Sequence, residues 1–273
     1  MTEISAALVK ELRDLTGLPM MECKKALIET GGDIKKAEEL LRIRGSAKAS
    51  KAAARVAAEG VVGAFVSADG KLGALVELNC ETDFVAKNEE FVAFANSLAE
   101  IVARKNPKDV AELSSGKVEE RRQALVQKIG ENMTIRHFKR IQAKGKLTLY
   151  LHGAKIGVLV DYEGGEDVGK DLGMHIAFHK PAHLTKAEVP ADIVAKEREI
   201  QLARAKESGK PPEIAARMVE GSLNKFLGEI TLMGQPFVKD DKQTVEKVLA
   251  VRKGKIFGFA FLVVGEGISK EAH

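Results

Sequence analysis

The chain has 273 residues, 45% hydrophobic and 30% charged, with a formal net charge of +4. That is length for more than one compact unit, a composition of ordinary soluble globular type, and a charge that permits an acidic or nucleic-acid partner without demanding one. Aromatic residues make up only 5% and Trp is absent, so Leu, Ile, Val and Ala must build the core, while two cysteines, Cys23 and Cys80, exclude a disulfide framework or a four-thiolate metal site and fit a reducing cytosol.

In chain order, the N-terminal stretch MTEISAALVKELRD carries acids early and no apolar run, so it does not read as a signal peptide. Ile4, Leu8 and Leu12 recur at helical spacing. Pro19 opens a second helix, whose apolar positions are Met20, Cys23 and Leu27. Gly31-Gly32-Asp33 ends that helix and caps a third, with Ile34, Ala37, Leu40 and Leu41 on its apolar face. Residues 46–58 are Ala/Lys-rich and have little to bury, so an exposed helical linker is expected, with Lys48, Lys51 and Arg55 as a solvated face rather than an RNA contact.

An internal repeat follows. Gly60 to Val66, a turn at Asp69-Gly70, and Leu72 to Leu78 predict a hairpin; a helix carrying Phe91, Phe94, Ala95, Leu98 and Val102 comes next, and Thr134 to Ile141 gives a later strand. The second copy runs Leu147 to His152, a turn at Gly153-Ala154, Ile156 to Val160, a helix with Leu172, His175 and Ile176, and a strand over Ile256 to Val264. Residues 104–117 read as a mobile connection. Two helices on either side of Ser208 to Pro212 interrupt the second copy as an antiparallel hairpin. The class is α+β, with two related small antiparallel α+β subdomains. The longest apolar runs, such as Phe259 to Val264, are strand-sized, so no membrane helix is expected.

Three chemical motifs are weighed and set aside. Gly164 to Asp171 nearly matches a phosphate-binding loop, but Asp171 stands where a magnesium-binding hydroxyl belongs, and Glu166 and Asp167 would repel phosphate. His175, His179 and His183 are spaced by four, but Pro181 should end the helix before His183, so no metal is expected. Cys80 closes an apolar strand without a local His. No enzyme activity and no cofactor is therefore expected. The segment Cys80 to Asn88 joins a strand to a helix capped by Asn88, and it sets the acid Asp83 beside the ring of Phe84. From residues alone the favoured reading is structural, with Asp83 capping a turn and Phe84 tucked into the core.

Asn79-Cys80-Glu81-Thr82-Asp83-Phe84-Val85-Ala86-Lys87-Asn88 resembles the signature segment of the elongation factor Ts family. So do Leu12 to Gly17 followed by Met20 to Leu27, and Lys128 to Asn132, Met174 to Ala177, Gly234 to Val238 and Gly265 to Ile268, in family order along nearly the whole chain. The resemblance implies an N-terminal three-helix, ubiquitin-associated-like domain over 1–45, a helical linker over 46–59, core subdomain 1 over 60–142, core subdomain 2 over 143–187 and 231–268, a coiled-coil insertion over 188–230 and a short tail over 269–273. It implies a cytoplasmic guanine nucleotide exchange factor whose partner is elongation factor Tu, with no small-molecule substrate of its own and neither nucleic acid nor membrane as partner. Thr82, Asp83, Phe84 and Val85 then match the loop that intrudes near the partner's magnesium site. Arg13, Met20 and Met21 match residues touching a helix of its GTPase domain, and adjacent helical positions predict that at least one Met is exposed. His175 belongs to the subdomain 2 segment near the partner. Leu18-Pro19 replaces the Ala-Gly common in the family. The sequence ends soon after Gly267-Ile268, where many relatives continue with a helical segment.

Overall fold

The computed structural model describes residues 4–207 and 209–269; Ser208 of the expected hairpin turn and residues 270–273 of the expected tail lie outside it, as do residues 1–3. Helix α1 (Ala6–Thr16) starts where the Ser5 hydroxyl accepts a hydrogen bond from the Leu8 N–H, and it stops at Gly17, whose φ of 67° only glycine adopts cheaply. Helix α2 (Met20–Glu29) follows Pro19, and α3 (Ile34–Ala52) is capped by Asp33. The three close on a small core that includes Leu12, Cys23, Ala26, Leu27 and Leu41.

Met20 departs from the expected apolar face: it is 51% exposed, and neighbouring Met21 is 61% exposed. Helical side chains lean toward the N-terminus, so the first residue of α2 overhangs the end of its helix instead of reaching the core. Leu18, just before Pro19, fills that core instead.

The linker also differs from expectation. Its first half is the continuation of α3, and one face is buried: Gly45, Ala49 and Ala52 pack toward α7 (Lys117–Ile129). Small residues have little to bury, but they let a second helix come close. A Cβ on Gly45 would stand 2.3 Å from Gln127 Oε1.

Strands β1 (Glu59–Val66), β2 (Leu72–Cys80) and β3 (Thr134–Gln142) form one antiparallel sheet in the order β1-β2-β3. Between β2 and β3 come α4 (Asp83–Ala86), α5 (Glu89–Lys105), α6 (Val110–Leu113) and α7. The expected mobile connection instead carries the helical turn α6, and Leu113 anchors it in the core. Strands β4 (Lys146–His152), β5 (Ile156–Glu163) and β8 (Lys255–Val263) form a second antiparallel sheet in the order β4-β5-β8. Its intervening elements are α8 (Glu166–His179), α9 (Ala191–Glu207), α10 (Pro212–Ile230), the short pair β6 (Pro236–Phe237) and β7 (Asp240–Thr244), and α11 (Val245–Val251). No described helix is long and apolar enough to cross a membrane.

The alternation of strand side chains explains the packing. On β2, Ala74, Val76, Leu78 and Cys80 face α5 and its Phe91, Phe94 and Leu98. On β5, Val158, Val160 and Tyr162 face α8 and its Val168, Leu172 and Ile176. The opposite faces meet each other through Val62, Leu75, Leu159 and Leu262. Glycine permits this approach from both sides: a Cβ on Gly73 would lie 3.2 Å from Leu159, and one on Gly157 would lie 3.2 Å from Leu75.

The same alternation carries a buried acid into the seam from each central strand. Glu77 on β2 accepts the Gly265 N–H at 2.8 Å, just beyond β8. Asp161 on β5 accepts the Lys144 and Gly145 N–H groups at 2.8 and 2.9 Å, just beyond β3. Each sheet's acid holds the outlet of the other sheet's last strand. A register shift follows each acid, between Glu77 and Leu78 and between Asp161 and Tyr162.

Candidate functional site

Strand β2 ends at Cys80, and the chain stays extended through Thr82, with φ −121° and ψ 156°. The Thr82 hydroxyl accepts a hydrogen bond from the Val85 N–H at 3.4 Å and starts the single turn of α4. Asn88 then caps α5 by accepting from the Glu90 and Phe91 N–H groups. Between these two caps, six residues apart, the chain makes a single helical turn. Val85 and Ala86 go into the core, and Asp83 and Phe84 go out. Phe84 is 81% exposed, so the core reading of its ring is overturned: Thr82 rather than Asp83 caps the turn, and Val85 takes the buried place.

Asp83 accepts a hydrogen bond from Lys87 Nζ at 2.7 Å, which with the lysine's charge holds its carboxyl below the usual range and leaves it anionic. The Cys80 thiol beneath is buried; desolvation, with the nearby Glu131 and Glu59 charges, pushes it up to about 12, so it stays a thiol.

The base of this tip is held from a distant segment. Glu131 Oε2 accepts the Glu81 and Thr82 N–H groups, both at 3.0 Å, and its Oε1 accepts the Thr82 hydroxyl at 2.6 Å. In return Glu81 Oε1 accepts the Asn132 N–H at 2.5 Å and pairs with Arg55 Nε at 3.2 Å. Arg55 also donates to the Gly130 carbonyl and accepts from Asn132 Nδ2 on its own carbonyl. Nothing in the local sequence around Glu131 ties it to a loop 49 residues away.

Arg13 sits exposed in the last turn of α1, and Met20 and Met21 are exposed in the first turn of α2. The turn at Gly17 to Pro19 brings these three to one end of the N-terminal helices. Exposed Leu15 and Ile28 add apolar area on the same module.

His175 is placed differently. It is 0% exposed, so its side chain has no surface to offer. The Val238 N–H donates to its Nδ1 at 3.1 Å, which makes Nε2 the protonated nitrogen, donating to Gln235 Oε1 at 2.9 Å. Burial pulls its pKa down to about 4, against the pull of Gln235 and helped by His179. Its ring stacks on His179 with centroids 4.5 Å apart. One step along α8, Phe178 is 73% exposed. The helical periodicity of Leu172, His175 and Ile176 puts position 178 off the buried face, a signal that was present in the sequence and not used.

The motifs set aside from sequence have concrete structural roles. Asp171 of the near-miss phosphate loop is buried and bridged by Lys239 at 2.6 Å and Arg252 at 2.8 Å. Burial pushes its carboxyl up, but the hydrogen bonds and the positive charges of Lys239 and Arg252 together outweigh it and lower the pKa. Both ring nitrogens of His175 are committed to Gln235 and Val238, which leaves no lone pair for a metal.

What the tip can do is mechanical and electrostatic: it presents a stiffly based aromatic ring beside a persistent negative charge. Comparison with known proteins gives this geometry a context. A family model described as Elongation factor TS matches residues 81–266, a span that starts at the tip's base. The protein named Elongation factor Ts from Bordetella petrii is 59% identical over 276 residues, covering 99% of this chain and 94% of the relative. Those of the same name from Azoarcus sp. and Nitrosomonas eutropha are 58% and 55% identical, over 99% and 100% of this chain and 94% and 95% of each relative.

Proposed function

The chain belongs to the elongation factor Ts family, and on that premise we propose that it is a guanine nucleotide exchange factor that binds elongation factor Tu–GDP in the cytoplasm and promotes GDP release during translation elongation. In this reading it takes no substrate, metal or cofactor of its own. Asp83 and Phe84 enter the partner near its magnesium and phosphate site, Thr82 and Val85 hold them up, and Arg13, Met20 and Met21 supply a second contact. His175 acts from inside, by fixing the segment at Gln235 to Val238 against α8. The observation that carries the reading is a large ring left 81% exposed on a doubly capped turn. Hydrophobic burial alone would have put it inside.

Energetics divide the labour. Speeding release about 10⁴-fold requires roughly 5.5 kcal/mol of differential stabilisation. Burying one Phe side chain contributes about 1.5–3 kcal/mol. Phe84 therefore needs contacts elsewhere to hold it in place, which is the part given to Arg13, Met20 and Met21. Coupling is reciprocal: whatever factor this chain removes from GDP affinity, GDP removes from the affinity for this chain.

The test is stopped-flow release of fluorescent GDP from elongation factor Tu with and without this protein. Acceleration by the wild type is expected, with Phe84→Ala slowing release more than it weakens the complex and Arg13→Ala mainly weakening association. Absence of acceleration, or proportional loss of rate and affinity in Phe84→Ala, would sink the wedge reading.

A further inference from the structure

Glu131 is 49 residues from Thr82 in sequence, yet its carboxylate takes three hydrogens from the base of the tip. The bond to the Thr82 hydroxyl matters most. A hydroxyl has one hydrogen to give and lone pairs to offer. With the hydrogen pinned to Glu131 at 2.6 Å, a lone pair is left facing the Val85 N–H, and that contact starts α4. Without Glu131 the hydroxyl is free to rotate and the cap loses its orientation. The exchange runs both ways, since Glu81 holds the Asn132 N–H next to Glu131. The two segments therefore clasp each other by reciprocal carboxylate-to-backbone bonds. Arg55 closes the clasp from beyond α3, binding Glu81 and the Gly130 carbonyl together.

We propose that Glu131 is a positioning residue for nucleotide exchange: it clamps Glu81 and Thr82 so that α4 presents Phe84 at a fixed height and angle. It does this without touching the partner. The proposal rests on the exchange reading above. The Phe84 ring gains nothing from the core and is aimed only by its backbone, so the stiffness of that backbone decides how well it wedges.

The test uses the full chain in four forms: wild type, Glu131→Gln, Phe84→Ala and the double variant. Gln keeps the size but turns an amide NH₂ toward hydrogens that need an acceptor. Maximal GDP release from elongation factor Tu, affinity for nucleotide-free elongation factor Tu, and thermal unfolding are measured for each. Glu131→Gln is expected to slow release on the order of tenfold, from the loss of charge-assisted hydrogen bonds, with little change in affinity. In the Phe84→Ala background the same substitution should have almost no further effect, because there is no ring left to aim. A merely structural role would slow both backgrounds equally, and that result, or wild-type release by Glu131→Gln, overturns the proposal. If the Gln variant unfolds, Glu131→Asp is put through the same pair of backgrounds and judged by the same criterion. Failure of the exchange reading is distinct: the wild type would then fail to accelerate release, or Phe84→Ala would be without effect.

Discussion

Phe84 and Val85 are neighbours with opposite tasks, and single substitutions should separate them. Phe84 is exposed, so Phe84→Ala is expected to leave the thermal midpoint unchanged while slowing exchange. Val85 is buried in the core between the β1-β2-β3 sheet and α5. Val85→Ala removes two methyl groups and should cost about 1.5 kcal/mol in a urea titration. His175 gives a pH dependence with a definite sign. Its folded pKa of about 4 lies below the ordinary imidazole value of 6.5, so the unfolded chain binds the proton more readily between those values. Stability from this residue is full above pH 6.5 and is lost as pH falls toward 4, by at most roughly 3 kcal/mol. Urea midpoints measured across that range should fall, and His175→Gln should flatten the fall. Sequence made the acid–aromatic pair visible but not its orientation. Which of Phe84 and Val85 is buried depends on the caps at Thr82 and Asn88 being close together, and the Thr82 cap depends on Glu131, which no local pattern connects to it.

Elements read well where a periodic face met a cap and poorly where small residues carried the packing. The hairpins, α5 and α8 were legible because Val, Leu and Phe recur at the period of their structure. Residues 46–58 are helical by propensity but read as exposed, because Gly45, Ala49 and Ala52 carry little hydrophobic signal although they form the contact of α3 with α7. Gly63 makes the same point on β1: a Cβ there would meet the Ala95 carbonyl oxygen of α5 at 2.2 Å. Its backbone needs no glycine, but its space does. Gly63→Ala is expected to push α5 off the sheet and destabilise by about 1–3 kcal/mol, read from the shift in urea midpoint. The tip lies between β2 and α5, so exchange should fall with it.

At the scale of the molecule, the repeat was legible in sequence, but the way its copies face each other was not, because Gly73 and Gly157 mark the contact by what they lack. The seam of Val62, Leu75, Leu159 and Leu262 belongs equally to both sheets. Leu159→Ala should therefore cost about 2–5 kcal/mol. The body should lose both sheets in one transition. The two tyrosines, Tyr150 and Tyr162, both lie in the second copy. Tyrosine fluorescence then follows one half and far-ultraviolet circular dichroism the whole, and the two curves should coincide. The crossed acids also set an order of events as the chain leaves the ribosome N-terminus first. Asp161 finds its donors 16 and 17 residues behind it, already made when it emerges. Glu77 meets Asn79, Arg136 and His137 within its own sheet, but its cross-seam donor Gly265 comes 188 residues later. The sheet that carries the tip has all its strands by Gln142, while its partner sheet lacks β8 until residues 255–263 are made, so a nascent chain holds a finished working surface on an open seam that the last strand closes.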